Sequence, residues 1–375
     1  MKDSNLQVCN RYWVLDGLRG VAALMVMCYH IGEAFATSPV DQTFNHGYLA
    51  VDFFFLLSGF VMGKAYDERM SDGKLTVGGF FCRRLIRLHP MMILGAIFGF
   101  ITFAISGFLK WDGSTVSIGQ AAMALFCSIL LIPAYSGAIY EVRGYGEMFP
   151  LNGPTWSLFF EYLGCVLYAF LLRRLSTRML FCVVLLSAIG LSVYALSNAS
   201  GFYHIGVGWT LADLNFVGGL LRLSFGFSAG LFLSRIYKPQ HIKGSFWICS
   251  VCIILLLSLP YLGAVVCVLN ALYDIVCTIV LFPLLLFVGA SAATNECGLR
   301  QGVYNWLGRL SYPVYIMHYP LMYLFYGWVW TKGYSFQQCL PTTILVIAVS
   351  ILIAYLSLRF YDEPLQRYFI SKQRS

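Results

Sequence analysis

Charge is scarce in this sequence. Asp, Glu, Lys and Arg make up 11% of the 375 residues while 59% are hydrophobic, too little charge to clothe a water-soluble domain of that length. Also missing are the alternating ten-residue segments of a membrane barrel, any internal repeat or low-complexity tract, and any polar stretch long enough for a second, soluble domain. No small-residue cleavage site follows the first apolar stretch, which therefore reads as a retained span and not as a removed leader. Cysteine is plentiful, with 12 copies, but a disulfide framework is lacking. Cys28, Cys127, Cys165 and Cys267 lie inside apolar runs, where small reduced core residues belong. Cys249 and Cys252 form a lone C-x-x-C without a second pair or a nearby His, so no metal centre is expected. The net charge of +8 is carried between apolar runs, as in loops that face anionic lipid; this points to membrane lipids as neighbours and away from nucleic acid.

What the sequence does have is a series of apolar stretches of about 17 to 25 residues, each able to cross a hydrocarbon core of about 30 Å as a helix. They cover residues 15–36, 47–65, 90–109, 118–135, 155–172, 179–197, 214–234, 246–261, 263–288, 308–330 and 341–359. Lys and Arg mark the cytoplasmic side. The basic clusters are Lys2 with Arg11, Lys64 to Arg87, Arg173 with Arg174 and Arg178, Arg235 with Lys238 and Lys243, Arg300, and Arg359 to Arg374. If all the stretches crossed, the cluster after residue 172 would face outside. Taking 118–135 as re-entrant or surface-lying returns every cluster to the inside. The expectation is one all-α integral membrane domain over residues 1–375, with about ten transmembrane helices plus one re-entrant or interfacial helix. Both termini are then cytoplasmic, and no soluble domain is appended.

Ionisable residues inside spans are costly, so each is a candidate for function. Arg19 and His30 are eleven residues apart, a rotation of about 1100°, within about 20° of three turns, so they share a helix face with about 16 Å between them along the axis. A long ligand with a charged head and a neutral arm would set its head by Arg19 and its reactive end by His30, where an imidazole serves as a base near neutral pH. Arg19 could also simply snorkel to the interface. Arg84 and Arg87, at i and i+3 ahead of Pro90, project together and suit phosphate, or else anchor to lipid headgroups. Asp52 should lie at the depth of His30, either orienting the imidazole or bonded to backbone or an arginine. Trp156 and Glu161 enter the span over residues 155–172 from outside; an aromatic and a carboxylate suit a sugar, although Trp156 could be an interfacial anchor. Tyr315 and His318, reaching mid-membrane on a later span, are candidates to line the substrate path.

In this order the segments resemble acyltransferase family 3. They are Leu15-Asp16-Gly17-Leu18-Arg19-Gly20 with His30 ten residues beyond Arg19, Asp52 to Phe60, Arg84-x-x-Arg87-x-x-Pro90, Trp156-Ser157-Leu158-x-x-Glu161, Ser311 to His318, and Glu363-Pro364. The resemblance implies a bacterial inner-membrane enzyme that O-acylates surface glycans or related hydroxyl acceptors. It implies acyl-coenzyme A, acetyl by default, as co-substrate, with no tightly bound cofactor. It also implies a catalytic His30, an essential Arg19, and paired arginines, Arg84 and Arg87, that matter for activity; on the reading of the residues these arginines hold the donor's phosphates. On this reading Asp52 orients His30, while Trp156 and Glu161 face the acceptor. Direct transfer and an acyl-histidine intermediate both remain open. A secondary transporter or lipid-linked sugar flippase with a His/Asp/Glu proton relay is the rival of a different class, and the internal repeats common in such proteins are not seen.

Overall fold

The computed structural model describes residues 12–238, 240–292 and 299–372. Lys2, Arg11 and Arg374, counted above among the basic clusters, lie outside the described residues, as does the side chain of Arg300. Fourteen α-helices follow in order: α1 (Trp13–Glu33), α2 (Ala50–Ser71), α3 (Val77–Ile105), α4 (Ile118–Ile129), α5 (Thr155–Phe170), α6 (Thr177–Leu196), α7 (Asp213–Ile236), α8 (Ser245–Ser258), α9 (Val268–Val276), α10 (Phe282–Ala290), α11 (Leu299–Met317), α12 (Tyr319–Lys332), α13 (Phe336–Ser357) and α14 (Glu363–Lys372). A π-helical stretch, Cys277–Leu281, joins α9 to α10, and a second, Leu358–Asp362, joins α13 to α14. Among the described residues nine helices are long and apolar enough to cross a membrane, and no strand is present.

The tenth apolar stretch departs from the pattern. Residues 308–330 are not one continuous helix; α11 and α12 meet at His318. Pro320 has no N–H to offer the Ile316 carbonyl four residues back, and the Asn152 side chain donates to that carbonyl at 3.0 Å instead. A second difference concerns Pro90, expected in the first turn of a helix. Thr76 caps α3 by accepting from the Gly79 amide, so the basic stretch before Pro90 is itself helical and Pro90 lies inside α3.

Helix α4 is 12 residues long, a rise of about 18 Å, which is too short to cross. The arrangement of its neighbours agrees. At the end of α7, Arg235 donates to the carbonyls of Leu172, Arg173 and Leu175, just beyond α5, and pairs with Asp67 near the end of α2. The ends of α2, α5 and α7 therefore share one face of the bundle. Helix α3 leaves that face and α5 returns to it, so α4 contributes no crossing.

Small residues set the closest helix contacts. A Cβ at Gly59 would fall 2.1 Å from the Phe227 carbonyl, and one at Gly230 would fall 2.0 Å from that of Leu56, so α2 and α7 approach backbone to backbone. Gly20 does the same for α1 against Leu307 of α11. That contact sets Arg19 beside the polar edge of α11.

Candidate active site

A cavity of about 900 Å³ opens among α1, α2, α3, α5, α11 and the start of α14, within the size range of small-molecule sites. Six cations line it (Arg19, Lys64, Arg69, Arg84, Arg87 and Arg309), against four carboxylates (Asp16, Glu161, Asp362 and Glu363), a surplus of two positive charges. Arg19 donates from Nε to Ser311 Oγ at 2.9 Å and from Nη2 to the Gly308 carbonyl at 3.1 Å, and meets Asp16 at 3.3 Å. Arg84 is buried and pairs with Glu161, which also accepts from Ser58 Oγ at 3.0 Å. Its Nε is buried without a hydrogen-bond partner. Arg87 lines the same cavity and forms no ion pair among the described residues. The i, i+3 spacing does bring both arginines to one space.

Phe54, Ser157 and Tyr315 are also among the cavity walls; the Ser157 and Tyr315 hydroxyls are 2.6 Å apart. Neither His30 nor His318 lines the cavity. The Tyr315 ring is 6.4 Å from the His318 ring, and the His318 and His30 imidazoles stack 5.4 Å apart at 29°. His318 is buried at the break between α11 and α12. Its Nδ1 donates to the Val314 carbonyl at 2.8 Å, a pairing that assigns the lone pair to Nε2; Nε2 has no partner. His30 closes α1, its Nδ1 2.6 Å from Glu33 Oε2. Tyr326 clamps this turn, donating to the His30 carbonyl at 2.6 Å and to Glu33 at 3.0 Å. Tyr319 packs edge-on against His30 at 4.7 Å.

Two expectations need correction. Asp52 does not meet His30; it is buried under Arg222, which donates to both carboxylate oxygens at 2.7–3.2 Å, to the Val207 carbonyl and to the Tyr48 carbonyl. The carboxylate that orients His30 is Glu33, missed although its i, i+3 spacing on a helix is a readable signal. Trp156 and Glu161 do not form one site. Five residues turn a helix by about 500°, which leaves the two about 140° apart. Glu161 accordingly lines the basic cavity, while Trp156 lies against the Arg222 guanidinium, 5.3 Å from ring centre. Tyr326, Glu147 and the Arg309–Glu363 pair were also missed, because each depends on contacts between distant segments. Glu147, in the connection from α4 to α5, accepts from Tyr323 at 2.6 Å, and desolvation pushes its pKa up to about 7. Among the described residues no group of His, Cys, Asp and Glu has a geometry for a metal ion.

Comparison with known proteins gives this geometry its context. A family model described as an acyltransferase domain matches residues 12–359. The chain is 34% identical over 191 residues to protein 2 in the picA locus of Rhizobium radiobacter, covering 49% of this chain and 95% of that protein. It is 29% identical over 325 residues to the acyltransferase MdmB of Streptomyces mycarofaciens, covering 82% and 78% of the two chains. A protein of Staphylococcus aureus (strain COL) named "Putative O-acetyltransferase" is 24% identical over 376 residues, which cover 94% of this chain and 57% of that protein. No solved structure matches. With that family model spanning its helices from α1 to the π-helical stretch after α13, the chain belongs to acyltransferase family 3 and is a multi-pass membrane acyltransferase.

Proposed function

We propose that this enzyme moves an acyl group, acetyl by default, from cytoplasmic acyl-coenzyme A to a hydroxyl of a carbohydrate or related acceptor at the outer face of a bacterial inner membrane. The observation that carries this reading is the basic cavity whose wall at Tyr315 adjoins the stacked His318 and His30. A donor with a phosphate-rich head and a neutral arm matches that gradient. Arg19, Arg84 and Arg87 take the phosphates through charge-assisted hydrogen bonds, and the thioester passes Tyr315 toward the imidazoles.

His30 then acts as the base. Glu33 fixes its Nδ1 and stabilises the imidazolium, leaving Nε2 to accept the hydroxyl proton as the acceptor oxygen attacks the thioester carbonyl. The C–S bond breaks, and the protonated His30 returns that proton to the departing thiolate, so no proton is gained or lost overall. Attack by His30 itself, through an acyl-imidazole, uses the same geometry. Single-turnover mixing with labelled acyl-coenzyme A in the absence of acceptor separates the two: trapped acyl-protein would rule out direct transfer.

His30→Ala tests the assignment. A general base contributes about 100-fold to 10,000-fold in rate, so transfer should fall to about one percent or less while donor binding persists. Near-native turnover in His30→Ala with a dead His318→Ala would move the base to His318. Sidedness has its own test in cysteine-accessibility labelling: residues 66–88 should label from the cytoplasm and 136–153 from outside, with both termini cytoplasmic. Labelling of both segments from one side would overturn the orientation.

A further inference from the structure

Three arginines surround a single carboxylate at the edge of the basic cavity. Arg309 of α11 pairs with Glu363 across 54 residues of sequence, while Arg359 and Arg367 approach the other carboxylate oxygen at 3.8 and 3.5 Å. That oxygen makes no hydrogen bond. The cluster carries two surplus positive charges, and both Arg309 and Glu363 line the cavity. Glu363 begins α14 directly after the π-helical stretch Leu358–Asp362, an irregularity that recurs at functional positions in helices. Arg309 is nine residues before His318, about 14 Å along a helix axis, far enough from the imidazoles to meet the head of an extended donor and not its thioester.

We infer that Arg309 and its neighbours form a phosphate-monoester site for the ribose 3′-phosphate of the donor, and that Glu363 occupies this site as an internal anion when no donor is bound. This rests on the acyl-coenzyme A reading above. The 3′-phosphate lies at the opposite end of coenzyme A from the thioester, and Arg309 precedes Tyr315 by six residues on α11, about 9 Å along the axis on the side away from the imidazoles. A phosphate dianion brings more charge to three guanidinium groups than a carboxylate does, and Arg matches its geometry in pairs of bonds. Binding therefore exchanges one anion for another, with α14 carrying Glu363 aside.

The test is titration of the full-length protein, in phosphatidylcholine nanodiscs free of anionic lipid, with coenzyme A and with dephospho-coenzyme A, which differ only in the 3′-phosphate. Wild type should prefer coenzyme A by about 10-fold to 100-fold, the range of a hydrogen-bonded charge contact. Arg309→Ala should abolish that preference while keeping its affinity for dephospho-coenzyme A, which also reports that the variant is folded. Glu363→Gln should change affinity in the opposite direction, tightening coenzyme A by about twofold to fivefold, the worth of an exposed ion pair removed from competition. It should leave dephospho-coenzyme A unchanged. A structural role for the pair predicts weaker binding of both ligands in Glu363→Gln, and that result overturns the exchange. A site serving lipid phosphate would leave the preference intact in Arg309→Ala, which also overturns it. Equal binding of the two ligands to wild type would defeat this inference alone; no binding of either would defeat the donor reading as well.

Discussion

Two buried arginine–carboxylate pairs in this bundle have the same chemistry and opposite character. Arg222 and Asp52 are both fully buried, and the guanidinium donates to both carboxylate oxygens and to the Val207 and Tyr48 carbonyls. Each of its three nitrogens has an acceptor. Arg84 is almost as buried, but it holds only one Glu161 oxygen, its Nε is unpartnered, and the pair faces the cavity. Saturation of donors thus separates an arginine that locks helices from one that can receive a ligand, although burial and charge treat them alike. Asp52 locks α2 to α7, the helices whose glycines bring their backbones into contact.

The largest effect should follow from breaking the saturated pair. Asp52→Ala strands a guanidinium in the core, which costs about 3–5 kcal/mol, and thermal unfolding in detergent should show it. Glu161→Ala strands Arg84 beside an open cavity and should cost distinctly less. Equal losses would erase the distinction drawn above. An apolar double replacement, Asp52→Leu with Arg222→Met, should recover much of the stability, since no buried charge is then left without its partner.

A middle-sized effect belongs to the unsaturated arginines. Arg84→Ala and Arg87→Ala each remove charge-assisted contacts of about 1.5–3 kcal/mol, so affinity for acyl-coenzyme A should fall by about 10-fold to 100-fold with little change in unfolding temperature. Unchanged donor affinity in both variants would return them to lipid anchoring.

The same contrast explains how much could be read from the sequence. Features set by a single helix were legible: Arg19 and His30 on one helix, Arg84 and Arg87 lining one cavity, and α4 as a helix that does not cross. Pairings between distant segments were not. Asp52 and Arg222 are 170 residues apart, and periodicity alone does not indicate which helix will neighbour α2. The break at His318 is an intermediate case. Pro320 was visible, but the Asn152 amide that satisfies the freed carbonyl comes from a loop between other helices. Glu33 was within reach, three residues beyond His30, and its role shows only once Tyr326 closes over the turn.

A third carboxylate extends the comparison to a site with no paired arginine, and its effect should appear only as pH rises. Glu147 accepts from the Tyr323 hydroxyl and forms no ion pair among the described residues; Arg143 lies instead over the Tyr323 ring, 3.9 Å from its centre. Desolvation holds the carboxyl at about 7, above its ordinary 4.5. A carboxyl with a raised folded pKa keeps its proton longer when folded than when unfolded. Its contribution to stability is therefore complete below pH 4.5 and is lost as pH rises to about 7, the reverse of a salt-bridged acid. Glu147→Gln removes the charge but keeps an oxygen for Tyr323. Unfolding temperature should match wild type at pH 4 and exceed it at pH 8 by about 4–6 °C, since a carboxyl moved from 4.5 to about 7 is worth about 3 kcal/mol once both states are ionised. A Gln variant that is less stable than wild type at pH 8 would mean that Glu147 is held ionised by Arg143 after all, and would place it with the paired carboxylates.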